Sequence, residues 1–349
     1  MPFANTRYVD AVLGHDVNFD GTSPTPDSPA PGNGPWKTFQ KADTAAPSDC
    51  EIIFADGAYD LSAGLYVLDG TKSLRLFRAA NYGGAVVSLA AGASPSFDTL
   101  LTGDTEIQGF IFEALSGAPA SAIRIAQNNV AKANNKLRSC EVYTVGGNAV
   151  VMGGADNTNG CEVAYVLAES TGTHATFNGA IMAREDFTGG TFDHVTAVAY
   201  HASAHALDVV GAFASNPTGL VVKNSILAGA GPSVINVVED WVSGWPGRYA
   251  GNNNAISKHL GAAAIAKVGA ATDVAIADWK TRVAPDDSVS IDADPLWVDA
   301  GADDYRLQAA SPAATLDDAG GAAGAFGVVP GAVPRRRPGV LNPLLGIGV

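Results

Sequence analysis

The sequence has little charge and few basic residues. Only 16% of its 349 residues are charged, against about 25% in ordinary globular chains. The 21 Lys and Arg are outnumbered by 35 Asp and Glu, which gives a net charge of −14. Such a surface repels the phosphates of nucleic acids and of anionic membranes, so we expect no nucleic-acid partner. The one basic run is short and lies at 335–337.

Cysteines and long apolar runs are also scarce. Cys50, Cys140 and Cys161 form no CxxC or Cys/His spacing, which argues against a zinc site or a disulfide framework and predicts buried free thiols. No stretch approaches the run of about 18 apolar residues that marks a membrane-spanning helix, so we expect no membrane insertion. The first residues lack the basic and apolar segments of a secretion signal, which favours synthesis in the cytoplasm.

Glycine and proline are abundant, with 40 and 19 residues, and they divide the chain into short segments. Strand-sized apolar runs such as IQGFIF and VAYVLA fill the region from about residue 50 to about 230, where helical periodicity is almost absent. Two stretches outside it have helical spacing. These are PWKTFQKADTAA at 35–46 and TDVAIADWKTRV at 272–283, the second with Thr272 or Asp273 as its N-cap.

A weak internal repeat runs through the strand region. Similar triplets begin at Cys140, Cys161, Phe192 and Val222, at offsets of 21, 31 and 30 residues. Offsets of this size are typical of solenoids. Because helical patterns and regular Leu and Asn positions are missing, a coil of parallel strands remains. We expect Asn224 to lie at a bend of this coil and to bond to equivalent side chains of neighbouring turns.

Several segments resemble a known superfamily. YVD at 8–10, GHDVNFDGTS at 14–23, PWKTFQKA at 35–42 and DCEIIFADGAY at 49–59 resemble the N-terminal part of right-handed parallel β-helix proteins of the pectate-lyase-like superfamily. VVKNSILAG at 221–229 resembles one of their coils. The resemblance implies an all-β fold: a single-stranded right-handed parallel β-helix with a short N-terminal capping helix and an extended C-terminal tail.

The same resemblance divides the chain into three parts. Residues 1–46 form an N-terminal strand, loop and capping helix, residues 47–327 form the parallel β-helix, and residues 328–349 form a Pro-rich tail. The stretch DPLWVDAGADDYRLQAASPAATLDDAG at 294–320, with GAFG at 324–327, resembles the segment that closes such a solenoid. We therefore expect it to cover the far end of the apolar column.

Three acidic residues are the candidate catalytic groups. With the repeat in register, Glu141, Glu162 and Asp193 point outward from successive coils on one face, about 4.8 Å apart. Carboxylates at this separation bind Ca²⁺ or raise one another's pKa, as two-carboxylate hydrolysis requires. The alternative is a solvated polar face on an acidic protein.

An aromatic loop is the candidate carbohydrate-binding site. Trp241, Trp245, Arg248 and Tyr249 lie close together in a region, 238–294, where the strand pattern loosens. Exposed aromatic rings stack on the CH faces of sugars. The alternatives are a subunit interface and a loop that folds its aromatic side chains onto the coil.

The histidines and the acidic N-terminal loop carry weaker signals. His174, His194, His201 and His205 lack the helical spacing of metal ligands and are predicted to be ordinary loop or core residues. The loop at 14–23 begins like a calcium-binding loop but lacks its closing glutamate. We predict no metal and no cofactor, with Ca²⁺ as the alternative.

Two functions fit these features. A lyase needs a base beside a neutralised uronate, and Arg124, Lys136, Arg138 and Arg184 form no evident cluster in the sequence. Within the superfamily the chain looks most like spike or tail proteins of phages or phage-like particles. That resemblance implies a homotrimer on the particle surface, other particle proteins as partners, and binding of a host surface polysaccharide. The alternative is a polysaccharide-degrading enzyme, either a lyase or a two-carboxylate glycoside hydrolase.

Overall fold

The chain winds into a right-handed coil of parallel strands, the hand that parallel crossover connections adopt. The computed structural model describes residues 3–26, 32–69, 71–90, 95–99, 103–117, 119, 121–125, 134–153, 160–172, 178–184, 188–210, 218–238 and 249–326. Within these ranges each full coil contributes one strand to each of three sheets, and the sheet visited second contains eight strands. The predicted parallel β-helix is therefore confirmed.

The strands are numbered in chain order and the sheets in the order in which a coil visits them. Sheet 1 contains β1 (Asn5–Val9), β2 (Cys50–Phe54), β5 (Ser73–Ala79), β8 (Gly103–Gln108), β11 (Lys136–Arg138), β14 (Cys161–Ala164), β17 (Thr188–Asp193), β20 (Thr218–Lys223) and β23 (Tyr249–Asn252). Sheet 2 contains β3 (Gly57–Leu61), β6 (Ala85–Leu89), β9 (Ile111–Ala114), β12 (Glu141–Thr144), β15 (Leu167–Ser170), β18 (Thr196–Ala199), β21 (Ile226–Gly229) and β24 (Ala255–Ser257). Sheet 3 contains β4 (Tyr66–Val67), β7 (Phe97–Asp98), β10 (Ser121–Ile125), β13 (Asn148–Gly153), β16 (Gly179–Arg184), β19 (His205–Val210), β22 (Ser233–Val237), β25 (Ala264–Val268) and the antiparallel β26 (Ala271–Asp273).

Alternation of side chains along each strand fills the coil with an apolar column. On sheet 1 one inward position is apolar and buried in successive coils, and the register joins Ile52, Phe77, Ile107, Leu137, Val163, Phe192 and Val222. Because strands in adjacent coils pair along their length, backbone polar groups are satisfied without water inside the column.

The strand register corrects part of the predicted repeat. Phe192 pairs with Val222, as the sequence alignment requires. Cys161, however, pairs with Gly190, and it is Val163 that pairs with Phe192. Cys140 lies in the bend after β11, outside any strand. The bends and loops between strands differ in length, so a constant sequence offset cannot keep the alignment in register.

Helix α1 (Phe39–Ala45) closes the N-terminal end of the column. The sequence predicted this helix, although it begins after Thr38 and leaves Trp36 outside. The Thr38 hydroxyl accepts a hydrogen bond from the amide of Lys41 at 3.1 Å and caps the helix. Phe39 is buried and belongs to the same apolar cluster as the coil interior.

Helix α2 (Ile276–Val283) closes the C-terminal end. It was predicted, but its N-cap is Ala275, and the side chains that it buries are Trp279 and Val283. The expectation that residues 294–320 cover this end is therefore wrong. The helix follows β26 almost directly, so it reaches the open end of the column first.

The chain after α2 instead returns along the outer face of sheet 2. The hairpin of β27 (Trp297–Asp299) and β28 (Asp304–Leu307), joined by a 3-10 turn at Ala300–Ala302, packs its large side chains on that face. Residues 311–326, here called the C-terminal strap, continue along it. The reason lies in sheet 2, whose outward positions include Leu167, Val198 and Ile226, and these apolar side chains need cover.

The remaining sequence predictions concern thiols, membranes and boundaries. The three cysteines are free and buried, as predicted. Burial raises the pKa of Cys140 to about 12 and those of Cys50 and Cys161 to about 11, which disfavours the reactive thiolate form. Neither helix of the described part is long and apolar enough to span a membrane. The tail at 328–349 lies outside the described residues, and the domain boundaries stay predictions.

Candidate functional site

The three candidate carboxylates do not form the predicted stack. Glu141 points outward from sheet 2, whereas Glu162 and Asp193 belong to sheet 1. Within sheet 1, Glu162 pairs with Thr191, and Asp193 pairs with Ala164. The predicted register is wrong because the sequence alignment matched Cys140, at a bend, to Cys161, within a strand. A catalytic role for these residues stays a prediction.

Two of these carboxylates have local partners. The Tyr143 hydroxyl donates to Glu141 at 2.8 Å. Arg138 donates to Glu162 at 2.6 Å, and Lys136 Nζ lies 4.0 Å from the same carboxylate. Two of the four basic residues that looked scattered in the sequence are therefore neighbours on the outer face of sheet 1.

The predicted carbohydrate-binding loop is only partly described. Trp241, Trp245 and Arg248 lie outside the described residues. Tyr249 is wrong as a sugar-stacking residue, because it begins β23, is buried, and donates its hydroxyl to Asp287 at 2.7 Å. The sequence pattern missed this strand because the aromatic residues before it resemble a continuous loop.

The histidines separate into three kinds. His174 lies outside the described residues. His201 is exposed and accepts the amide of Ser203 in a turn, and His205 is buried with Nδ1 at 2.7 Å from the Ser233 carbonyl. His194 differs from both, because both of its ring nitrogens face carboxylates.

His194 lies in a column of bends that join sheet 1 to sheet 2. One residue in each of these bends has a positive φ, a conformation that costs an L-residue about 1–2 kcal/mol. The column consists of Gly109, Ser139, Tyr165, His194, Asn224 and Asn253. Because successive coils place these residues one above the other, the rings of Tyr165 and His194 stack with centroids 4.6 Å apart.

The sequence prediction for Asn224 is corrected by the same column. Asn224 lies at the bend as expected, but its amide donates to Asp193 at 3.0 Å rather than to an equivalent asparagine. The ladder of polar side chains falls one residue later. The Ser225 hydroxyl accepts from the Val195 amide at 3.1 Å, and the Asn254 side chain accepts from the Ser225 amide at 3.0 Å.

A charged cluster surrounds His194. Its Nδ1 lies 2.8 Å from Asp193 Oδ1, on the coil, and its Nε2 lies 3.4 Å from Asp317 Oδ2, on the C-terminal strap. Lys223 Nζ lies 3.3 Å from Asp193 and 3.6 Å from Asp318. The imidazole and the ammonium group thus bridge carboxylates of the coil to carboxylates of the strap.

The electrostatics of the cluster favour charged forms. Burial works to lower the pKa of His194, but its hydrogen bonds to Asp193 and Asp317 outweigh burial and leave the pKa raised. Burial works to raise the pKa of Asp193, but His194, Asn224 and Lys223 leave it lowered. His194 is therefore biased toward the imidazolium and Asp193 toward the carboxylate.

An open cleft of about 570 Å³ lies beside this cluster. Its lining residues are Tyr165, His194, Ala314, Asp317, Gly321, Ala322, Gly324, Ala325 and Phe326. Tyr165 is 47% exposed, although it is aromatic and occupies a positive φ. Coil residues form one wall and strap residues form the other, and small side chains of the strap leave the space between them.

Lys136 and Arg138 on sheet 1 lie next to the bend that carries Tyr165. The strand that ends at Ala164 pairs with Arg138, so Tyr165 follows directly beside the outward row that carries Lys136 and Arg138. Glu162, whose backbone pairs with Thr191 of the next coil, contacts both basic groups there.

The acidic N-terminal loop has a structural use. Asp16 accepts hydrogen bonds from the amides of Lys37 and Thr38 at 2.7 and 3.0 Å and thereby fixes the start of α1. Asp20 Oδ1 accepts from the amide and hydroxyl of Thr22. Within the described ranges, no three His, Cys, Asp or Glu side chains come together in a group able to hold a metal ion.

Sequence reasoning missed the cleft. Its two halves, Tyr165 with His194 and Asp317 with Phe326, are far apart in the chain. In the sequence, His194 was predicted to be an ordinary loop or core residue, and Asp317 belonged to the stretch predicted to close the solenoid, so neither residue indicated the other. Only the return of the chain along sheet 2 brings them together.

Comparison with known proteins gives structural likenesses alone. No family model and no curated protein match the sequence. A mannuronic acid specific polysaccharide family 6 lyase from human gut microbiota shares 12% identity at a TM-score of 0.41, over 76% of this chain and 51% of that one. An alginate lyase in complex with a trisaccharide shares 12% at 0.43, over 72% and 49%. A pectate lyase shares 14% at 0.42, over 94% and 97%. The chain thus spans about half the length of the first two.

Proposed function

We propose that this protein is an adhesive β-helix that binds a surface polysaccharide in the cleft beside Tyr165. We further propose that it acts as a spike or fibre protein of a phage or phage-like particle, as a homotrimer in contact with other particle proteins. The observation that carries the binding proposal is Tyr165, an aromatic ring held exposed on a bend of the coil.

The surroundings of Tyr165 suit a sugar ring. One face of the phenol ring stacks on His194, which fixes its orientation before any ligand arrives. Sugars place CH groups on aromatic faces and direct hydroxyls to nearby carboxylates and backbone groups. Asp317 lies in the same cleft, and the glycines of the strap expose backbone close to the ligand space.

The same geometry disfavours catalysis in the cleft. A general base needs a nitrogen free to take a proton, and both nitrogens of His194 face carboxylates. A general acid needs a raised pKa, and the pKa values of Asp193 and Asp317 are lowered. Each group of the cluster is thus set to hold charge rather than to exchange protons with a substrate.

The test is binding to a panel of purified surface polysaccharides that includes alginate and pectate. We expect Tyr165→Ala to weaken the binding shown by the unmodified protein about tenfold, which corresponds to about 1.4 kcal/mol. Leu115→Ala is the matched control, because Leu115 is an exposed apolar residue away from the cleft. Equal binding by both variants, or no binding by the unmodified protein, would overturn the proposal.

A second candidate function is a polysaccharide lyase on the outer face of sheet 1. The observation that favours it is the pairing of Lys136 and Arg138 beside Tyr165. Two cations at this position can neutralise a uronate carboxylate, which acidifies the proton that a lyase removes. Glu162 lies against both cations in the structure, so a substrate carboxylate would have to displace the Glu162 side chain.

The lyase is tested by the release of unsaturated products from polyuronates. Activity that disappears in Arg138→Ala and persists in Arg78→Ala, a basic residue of the same outward row, would establish it. Absence of product from every polyuronate would leave binding as the function. The mass of the protein in solution, measured separately, tests the trimer.

A further inference from the structure

The C-terminal strap is attached to the coil by a small number of polar contacts. The hairpin before it is anchored by large side chains, and Tyr305 donates to Glu169 at 2.6 Å beneath it. The strap, by contrast, is made largely of alanine and glycine. Because such side chains bury little apolar area, the strap gains less from packing than the hairpin does.

Among the described residues, three hydrogen bonds from strap amides and two charged contacts join the strap to the coil. The amide of Gly324 donates to the Asn224 carbonyl at 2.8 Å, the amide of Asp318 donates to the Asn224 side chain at 3.0 Å, and the amide of Ala325 donates to Thr196 Oγ1 at 2.9 Å. The charged contacts run from His194 to Asp317 and from Lys223 to Asp318. Among these groups the imidazole is the one that titrates near neutrality.

Asp317 is built to serve the strap and the coil at once. Its Oδ1 accepts the amides of Ala319 and Gly321 at 2.8 and 2.5 Å and folds the strap into a tight turn. Its Oδ2 is directed to His194 Nε2. The turn therefore presents a fixed carboxylate oxygen to the ring, and no rearrangement of the turn is needed to make or break the contact.

We propose that His194 is a pH-sensitive latch that holds the C-terminal strap against the coil and thereby completes the cleft. Its relevance to ligand binding rests on the proposed function of the cleft. In the closed state the imidazolium donates one N–H to Asp193 and the other to Asp317. Loss of the proton leaves one ring nitrogen without a hydrogen. This nitrogen and the carboxylate that it faces are then both hydrogen-bond acceptors, so the hydrogen bond between them is lost.

The charged groups around the ring are two carboxylates in contact with it and one more distant ammonium group. Asp193 and Asp317 face its two nitrogens, Tyr165 covers one face, and Lys223 lies behind Asp193 and reaches Asp318. With the imidazolium the three carboxylates face two cations. Without it they face one, so deprotonation adds repulsion between coil and strap.

The direction of the pH effect follows from linkage. The pKa of His194 is raised in the folded protein, so its contribution is complete below the unfolded value of roughly 6.5 and is lost as pH rises through the folded pKa. The pKa values of Asp193 and Asp317 are lowered, so their contribution is lost only as pH falls into the acid range. The latch thus holds the strap most tightly between the acid range and a pH of roughly 6.5, and less tightly as pH rises through the folded pKa of His194.

The experiment is hydrogen exchange of strap peptides in the ligand-free, full-length protein, comparing variants at each pH so that intrinsic exchange rates cancel. Near pH 6 we expect His194→Gln to exchange about tenfold faster than the unmodified protein, the change that a charged hydrogen bond supports, and near pH 9 we expect the two to agree. Asp317→Asn, which keeps an oxygen for the turn, should behave like His194→Gln. His201→Gln is the control and should match the unmodified protein throughout.

The possible results separate the latch from the proposed function. Equal strap exchange in His194→Gln and the unmodified protein near pH 6 would overturn the latch, even if the polysaccharide panel shows binding. A pH-dependent strap in a protein that binds no polysaccharide of the panel would support the latch and overturn the proposed function. If both hold, binding in the panel weakens near pH 9 in the unmodified protein and loses its pH dependence in His194→Gln.

Discussion

A helix closes the apolar column at each end of the coil, but different interactions hold the two helices in place. At the N-terminal end, the ring of Phe39 lies within 6.2 Å, centroid to centroid, of five other aromatic rings, with Phe54 at 5.0 Å and Phe77 stacked at 5.4 Å. At the C-terminal end, the described residues place the ring of Trp279 against that of Tyr249, with centroids 5.7 Å apart. The N-terminal end is therefore closed by apolar contact within a large aromatic cluster.

The C-terminal end is fixed by hydrogen bonds to one buried carboxylate. Asp287 is fully buried and accepts from the Tyr249 hydroxyl, Trp279 Nε1, the Asn254 amide and the Ser290 hydroxyl. The N-terminal end has a buried carboxylate too, since Asp43 contacts Arg75 at 2.7 Å, but there it accompanies the aromatic cluster. The comparison shows that each end of the apolar column is closed by an apolar side chain of a helix. Packing against other aromatic rings can hold that helix in place, and so can hydrogen bonds to one buried carboxylate.

The largest expected effect tests the aromatic end. Phe39→Ala removes the ring at the centre of the cluster and leaves a cavity, so we expect the free energy of unfolding to fall by about 4 kcal/mol. Urea denaturation measures the change. Gln40→Ala, one position away and partly exposed, should change stability by less than about 0.5 kcal/mol. A loss below about 1 kcal/mol for Phe39→Ala would show that the ring does not hold this end.

The next effect tests the polar end. Asp287→Asn keeps the size of the side chain and tolerates the positive φ of this residue, but it replaces a carboxylate that accepts four side-chain donors. Because buried donors then lack acceptors, we expect a loss of about 2–3 kcal/mol. Hydrogen exchange in α2 should rise along with it. Asp286→Asn, the partly exposed neighbour, is the control, and an equal effect of both variants would contradict the role of Asp287.

The smallest effect concerns the caps of the two end helices. Thr38 caps α1 through its hydroxyl, whereas Ala275, the N-cap of α2, has no side-chain acceptor. We expect Thr38→Ala to lower the free energy of unfolding by about 1 kcal/mol. Ala275→Ser should raise it by about 0.5–1 kcal/mol, since it adds the missing acceptor. If both substitutions are neutral in urea denaturation, neither cap limits the stability of its end.

The strand content of this chain was accessible from the sequence because it depends on local patterns. Short apolar runs predicted strands from about residue 50 onward, where β2 begins, and helical spacing predicted both end helices. The helix starts were misplaced by a few residues because several polar residues competed for the N-cap. Thr272 and Asp273 looked suitable, and the chain instead continues as strand through Asp273.

The candidate site was less accessible. The alignment of Glu141 with Glu162 failed because Cys140 and Cys161 are equally buried, although Cys140 lies in a bend and Cys161 in a strand. Tyr249 looked exposed because it follows two tryptophans, yet it pairs with Leu220 inside sheet 1. Polar positions of a solenoid are weakly constrained by the column, so their register is not encoded in the hydrophobic repeat.

The sequence by itself indicated a coil of parallel strands, because short apolar segments recur at offsets of 21, 31 and 30 residues without helical periodicity, and because its N-terminal segments resemble those of parallel β-helix proteins. Only the tertiary structure decided which polar groups meet. His194 and Asp317 are 123 residues apart and come together because the chain returns over the apolar outer face of sheet 2. That return is set by the burial of side chains on two separate segments, and neither segment alone contains the information.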